Sequence, residues 1–184
     1  GIFLDQRDNR AALRERLSPG QTLLNTFAYT GAFSVFAAAA GATATTLDLA
    51  QPYLDWAKRN FELNGFDPAA HHFCKGDTFH WLARFAKQGR KFDGIVLDPP
   101  TFSRDKDGKV FRVEKDYDRL AELALSCLAP GGFLLASTNC RTLSPRDFAR
   151  QLRDASRRPL RLRAAPMPAD FTADPYLKAV WVET

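Results

Sequence analysis

A chain of 184 residues, 45% of them hydrophobic, is long enough to bury one core and too short for two ordinary domains, so residues 1–184 read as one domain. The longest small-apolar run, Gly31 to Ala42, is interrupted by Ser34 and Gly41 and falls below the roughly 18 residues of a membrane span, while Cys74, Cys127 and Cys140 lack the pairing of a disulfide framework or a zinc site; the expectation is a cytoplasmic protein with no membrane segment and no metal. The formal charge of +5 is unevenly spread: Arg141 to Arg163 holds eight arginines against Asp147 and Asp154, which by itself exceeds the net charge of the chain.

In chain order, the opening Gly1-Ile2-Phe3-Leu4-Asp5-Gln6-Arg7 carries no basic region followed by an apolar stretch, so residues 1–20 read as a lead-in, with a further N-terminal domain expected ahead of it. Apolar runs at Thr22–Phe27, Ala44–Leu49, His71–Lys75, Gly94–Asp98 and Gly132–Ser137 predict strands. Helical patterns at Ala32–Ala40, Pro52–Asn64, Thr78–Lys87 and Val113–Leu128 separate them, which is the signature of a parallel sheet covered on both faces. Ser144, Pro145 and Asp147 announce another helix. Two final strands, Leu160–Ala165 and Leu177–Val182, have no helix between them and predict a hairpin with one antiparallel strand, making seven strands in all. The charged stretch Ser103–Arg112 reads as a surface loop, and Trp56, Phe61, Trp81 and Phe85 as core.

In such a sheet ligands sit beyond the C-terminal strand ends, and four of these ends carry informative residues. Phe27-Ala28-Tyr29-Thr30-Gly31 is a tight turn into a small-residue helix, where Gly31 lets a ligand approach the backbone. Asp48 follows Gly31 by seventeen residues, near the spacing at which an acidic side chain accepts from a ribose, in dinucleotide and S-adenosylmethionine (SAM) sites alike. Asp77 stands at a helix start, as a cap or as a partner for an adenine amino group. In Asp98-Pro99-Pro100-Thr101-Phe102 the prolines end the ladder and fix an extended turn, leaving Asp98 and the Pro99 carbonyl as rigid acceptors beside the Phe102 ring, a place to hold and stack a flat base. The first turn has no G-x-G-x-x-G, which disfavours a nicotinamide cofactor.

Phe27 to Gly31, Tyr53-Leu54-Asp55-Trp56-Ala57 with Asn60 and Asn64-Gly65, Leu97 to Ser103 and Pro130-Gly131-Gly132 together resemble the bacterial methyltransferases of large-subunit (23S) ribosomal RNA that modify cytosine C5 or guanine nitrogens. The resemblance implies a Rossmann-like class I methyltransferase domain with SAM as cofactor. It places the methionine part of SAM at Tyr29–Gly31, the ribose at Asp48, the adenine at Asp77 and the target base at Asp98–Phe102, with Phe27 and Asp98 also counted among the residues around the cofactor. Cytosine-C5 members carry a Ser-Cys pair at the end of the fifth strand; this chain has Ser137-Thr138-Asn139-Cys140, and an ungapped match sets Asn139 opposite their cysteine, as in relatives acting on guanine nitrogen. Catalytic positions are therefore expected at Asp98, Pro99, Phe102 and Asn139. The rival readings are a cytosine-C5 enzyme with Cys140 as nucleophile and a Rossmann-like domain that binds RNA without catalysis. Arg146, Arg150, Arg153 and Arg157, spaced four, three and four apart, form one helical stripe suited to RNA phosphates, opposite Phe148, Leu152 and Ala155; Arg161 and Arg163 share a strand face. His71, His72 and His80 have no metal-ligand spacing.

Overall fold

A computed structural model describes residues 1–104, 110–171 and 176–184. The apolar runs become strands of a seven-stranded sheet, four of them at its centre, where helices cover both faces and leave no polar side for the residues to alternate with, and His72–Lys75 at its edge. In chain order the strands are β1 (Thr22–Thr26), β2 (Thr43–Asp48), β3 (His72–Lys75), β4 (Phe92–Leu97), β5 (Phe102–Arg104), β6 (Val110–Arg112), β7 (Leu128–Thr138), β8 (Arg161–Ala164) and β9 (Lys178–Glu183). The helices are α1 (Arg7–Arg16), α2 (Ala32–Ala39), α3 (Gln51–Leu63), α4 (Thr78–Lys87), α5 (Val113–Ser126) and α6 (Pro145–Asp154). The large sheet runs β3-β2-β1-β4-β7-β9-β8. Its first five members are parallel neighbours, and β9 lies antiparallel to both β7 and β8.

Successive residues of one strand feed opposite cores. Leu24, Ile95, Leu97 and Leu134 meet Leu82 and Phe85 of α4, Tyr117 of α5 and Phe148 of α6, whereas Leu23, Val96 and Leu135 meet Leu13 of α1, Phe33 of α2 and Phe61 of α3. The chain order reverses at β1, with β2 on one side and β4 on the other, so the crevice between these strand ends is the switch point of the sheet. The strand at Leu128–Thr138 starts earlier than Gly132–Ser137 predicts. Leu128 already pairs with Phe92, and the register then shifts before Gly94 meets Phe133. Gly132 permits this irregularity, since a Cβ there would stand 2.7 Å from the Asp93 carbonyl oxygen.

The lead-in carries a ten-residue helix, α1, with Asn9, Arg10 and Leu13 buried. Two expectations need correction. The stretch Ser103–Arg112 is not wholly a loop: β5 and β6 pair antiparallel, Phe102 with Arg112 and Arg104 with Val110, while residues 105–109 lie outside the described residues. Trp56 is 47% exposed rather than core. It sits five positions before the fully buried Phe61, about 140° around the helix, so the face of α3 that packs on the sheet is Leu54, Ala57 and Phe61.

Candidate active site

The C-terminal ends of five strands converge on one cavity of about 390 Å³. Phe27 and Tyr29 follow β1, Asp48 ends β2, Gly76 to Thr78 follow β3, Asp98 to Pro100 follow β4, and Asn139 follows β7. The volume lies within the range of about 300–1,000 Å³ typical of small-molecule sites. Asp5, Asp48, Asp77 and Asp98 are among the lining residues and, among the described residues, no lysine or arginine is, which makes the wall favourable to a cation.

The β1–α2 turn is strained and tightly held. Phe27 and Tyr29 have φ of 51° and 50°, and Gly31 has 76°. Left-handed backbone at a non-glycine residue costs of order 1–3 kcal/mol and persists only where its surroundings impose it. Here Asp48 Oδ2 accepts from the Tyr29 amide at 2.8 Å, and Asn60 Nδ2 donates to the Thr30 carbonyl at 2.8 Å. The Thr30 hydroxyl donates to the Gly1 carbonyl at 2.7 Å. Thr30 borders a smaller adjoining cavity rather than the large one. The close neighbour of Gly31 is protein: a Cβ added there would stand 2.7 Å from Ala57 Cβ, so this glycine lets α2 approach α3. That is a packing role, not the open ligand approach expected of it.

Asp48 is buried and serves two amides, with Oδ1 accepting from Ala50 N at 2.9 Å as Oδ2 accepts from Tyr29. Asp77 caps α4, accepting from His80 N at 2.9 Å, and lines the cavity as well. Gly76 admits the edge of Trp81, whose Nε1 donates to the Lys75 carbonyl at 3.1 Å. A run of rings closes the mouth: Phe3 lies 5.4 Å from Tyr29, which meets Tyr53 edge-on at 4.6 Å.

Asp98 stands at the floor of the cavity, where Ser137 Oγ donates to its Oδ1 at 2.6 Å. Burial pushes the Asp98 carboxyl up from its ordinary value, opposed by the Ser137 hydroxyl bond and by the nearby Gln6 amide. Pro99 is buried and Pro100 exposed, both lining the cavity. Asn139 is exposed at the rim, its Oδ1 accepting from the Thr101 hydroxyl at 2.7 Å. Phe102 is not brought into the cavity: it is 51% exposed on β5, with the Arg112 guanidinium 5.8 Å from its ring centre. Cys140 is buried, its thiol directed to Glu114 Oε1 and Thr142 Oγ1 at 3.2 Å each, and it does not line the cavity. The strand stops at Thr138, so the turn that follows it, rather than alternation along the strand, separates Asn139 from Cys140.

The four stripe arginines are exposed, Arg146, Arg150 and Arg153 on α6 and Arg157 just beyond its end, while Phe148, Leu152 and Ala155 are buried on the other side. Arg150 also pairs with Asp147 at 2.7 Å, an exposed contact of little energetic consequence. Sequence reasoning missed Phe3, Asp5, Gln6, Leu49, Tyr53, Gly76, Thr78 and Leu177 as cavity residues. One sign of the N-terminal part was available. Gln6, Asn9, Arg10, Leu13 and Leu17 recur at spacings of three and four, so a buried apolar face continues into polar side chains that must then be buried too.

A doubly wound sheet with an antiparallel strand beside its last parallel member, and acidic side chains gathered at the strand ends around its switch point, defines a Rossmann-like methyltransferase domain. The comparisons with known proteins agree. The sequence model of the S-adenosylmethionine-dependent methyltransferase family matches residues 1–178, and the chain belongs to that family, whose cofactor is SAM. The ribosomal RNA large subunit methyltransferase K of Neisseria meningitidis is 44% identical over 144 residues, covering 77% of this chain and 40% of that protein. A ribosomal RNA large subunit methyltransferase of Deinococcus radiodurans is 37% identical over 195 residues, covering all of this chain and 47% of its own length. Among solved structures, the methyltransferase SMU.776 complexed with SAH superposes with a TM-score of 0.92 at 34% identity, over all of this chain and 50% of that one. The chain thus spans half or less of the length of these relatives. Helices long and apolar enough to cross a membrane are absent among the described residues.

Proposed function

We propose that this domain transfers the methyl group of SAM to a base of large-subunit (23S) ribosomal RNA in the cytoplasm, and that the acceptor is a guanine nitrogen. The observation that carries this reading is that Asp98, Pro99 and Asn139 share one cavity with Asp48 and Asp77, so that acceptors suited to a base lie beside acceptors suited to a nucleoside cofactor. Asp48 is proposed to hold the ribose, Asp77 the adenine, and Phe27 to Gly31 to shape the methionine end. SAM supplies an electrophilic methyl group on a sulfonium and leaves as S-adenosylhomocysteine, while the nitrogen gives up its proton to the Asp98 carboxylate, so the protein needs no covalent intermediate and in-line positioning of the nitrogen supplies much of the acceleration. Asp98 and the Pro99 carbonyl accept hydrogens of the guanine amino group and Asn139 meets an edge of the base. Phe102 enters this proposal as an exposed ring outside the cavity on which a base can stack as it approaches. A base within a duplex must first be flipped or unpaired to reach this floor. The names of the relatives support the RNA substrate, and the burial of Cys140 away from the cavity supports nitrogen over cytosine C5.

Cys140→Ala is therefore expected to keep transfer within a few-fold of wild type, and 5-fluorocytosine RNA is expected to trap no adduct. Loss of transfer together with a covalent RNA–protein adduct would show a thiol nucleophile and refute the nitrogen assignment. If Arg146, Arg150, Arg153 and Arg157 meet phosphates, replacing Arg146 and Arg153 with Gln should flatten the dependence of log affinity on log salt by roughly 0.7 for each phosphate no longer neutralised on single-stranded RNA. Base preference and SAM affinity should hardly change, because phosphate contacts position without reading sequence. Equal salt slopes for wild type and the double variant would make the stripe a solvated face.

A further inference from the structure

Behind Asp98 lies a set of buried polar side chains to which the methyl-transfer reading gives no role. Gln6 is 3% exposed, and Asn9 and Ser137 are likewise buried. Their hydrogen bonds run in one direction. Asn9 Nδ2 donates to Gln6 Oε1 at 2.7 Å, which leaves Gln6 Nε2 to donate to Ser137 Oγ at 3.1 Å. The single Ser137 hydroxyl proton then has two outlets, Asp98 Oδ1 at 2.6 Å and the Leu97 carbonyl at 3.2 Å. The shorter, charged acceptor is the stronger one. Beneath this chain the Tyr117 hydroxyl stands 3.2 Å from the Leu97 carbonyl and 3.1 Å from that of Ser137, bridging the ends of β4 and β7.

We propose that Gln6 and Ser137 are positioning residues for the target base, holding Asp98 Oδ1 from behind so that Oδ2 is presented to the cavity as the acceptor for the base N–H. The assignment rests on Asp98 being the base acceptor proposed above. A carboxylate on a strand end can turn about its last bond, and an acceptor that turns loses the alignment on which in-line transfer depends. A hydrogen bond to one oxygen, itself held by an amide whose orientation Asn9 sets, stops that rotation. It also links α1 and the 3-10 turn before it (Leu4–Gln6) to the chemistry, so the N-terminal segment contributes more than a wall. The groups facing Asp98 are Asp5 and Gln6 from that turn, Arg10 from α1, Tyr117 from α5 and Ser137 from β7. Asp5 adds to the upward push of burial on Asp98, and the Ser137 hydroxyl, the Gln6 amide and the Arg10 charge oppose it. Removing the Ser137 hydroxyl withdraws a bond to the ionised form, so Asp98 takes up a proton at higher pH.

The test uses the full-length protein, SAM, and unmodified large-subunit rRNA from cells lacking the gene as the methyl acceptor. Ser137→Ala is expected to lower kcat about tenfold to a hundredfold, the effect of one hydrogen bond to a charged group. SAM affinity should stay within about threefold, and the acid limb of the kcat profile should move to higher pH. In an Asp98→Asn background the same substitution should add little, as expected of residues acting as one unit. Gln6→Met, which keeps the shape and removes the donor, should move the acid limb the same way by less, and it carries the test if Ser137→Ala does not fold. Wild-type kcat and an unmoved acid limb in Ser137→Ala, alongside an impaired Asp98→Asn, would overturn the positioning role and leave Asp98 in place. A lower kcat with an unmoved limb would mark a merely structural bond and overturn it equally. Wild-type kcat in Asp98→Asn would instead sink the reading of Asp98 itself, and the positioning role with it.

Discussion

Asp98→Ala is expected to abolish turnover while leaving SAM affinity within about threefold, roughly the effect of a small side-chain change. The carboxylate follows β4 and lines the cavity, with one oxygen occupied by Ser137 at 2.6 Å. In the proposed arrangement its partner is the base and not the cofactor, so its removal takes away an interaction made during transfer, which lowers kcat and kcat/KM together. The substitution also leaves the buried Ser137 hydroxyl only the longer of its two acceptors, the Leu97 carbonyl at 3.2 Å, so the stability cost stays near the about 0.5–1.5 kcal/mol of a single hydrogen bond. Thermal unfolding of the variant therefore accompanies the kinetics. Calorimetry with SAM on the folded protein decides the assignment: a loss of cofactor affinity as large as the loss of turnover would give this turn to SAM.

Asp48→Ala is expected to weaken SAM by at least about a hundredfold, since hydrogen bonds to a charged acceptor contribute about 1.5–3 kcal/mol each and two ribose hydroxyls lose theirs. The structure adds a second path to the same result. Asp48 holds the Tyr29 and Ala50 amides, so the variant also releases a turn whose left-handed Phe27 and Tyr29 need outside support. Asp48→Asn separates the two contributions, because the amide oxygen can still accept from one of these N–H groups while the charge is gone. Asp48→Asn should therefore lose much of the affinity with a smaller fall in melting temperature than Asp48→Ala. Unchanged SAM affinity in both folded variants would remove Asp48 from the cofactor site.

The parallel core was legible because a strand buried on both faces lacks a regular polar side: Ile95 to Leu97 in β4 and Phe133 to Ala136 in β7 are continuous apolar runs, and β1 and β2 are mostly leucine, alanine and β-branched threonine. The acidic strand ends were legible for a related reason: Asp48 and Asp98 interrupt such runs abruptly, where only a partner or a ligand makes a carboxylate tolerable. The terminal hairpin followed from the lack of a crossover helix between its strands, although pairing alone revealed that β9 inserts between β7 and β8. What stayed hidden depended on neighbours distant in sequence. Gln6 looks like any surface glutamine until Ser137, 131 residues away, supplies its acceptor. Gly31 announces a left-handed turn, but only the fold reveals that the body pressing on it is Ala57. Phe102 follows the Pro-Pro turn as an aromatic neighbour should, yet the β5–β6 ladder directs it to solvent with Arg112 opposite. Trp56 matched a helical spacing while lying on the face of α3 that points away from the sheet.

Methyl transfer from SAM to a guanine nitrogen of large-subunit rRNA is decided by mass-spectrometric mapping of modified nucleosides. Ribosomal RNA from cells with and without the gene is digested and compared. One N-methylguanosine of the large subunit should disappear in the cells lacking the gene and return when wild-type protein, but not Asp98→Ala, is supplied. Loss of a 5-methylcytidine instead, or identical nucleosides in both strains, would contradict the assignment.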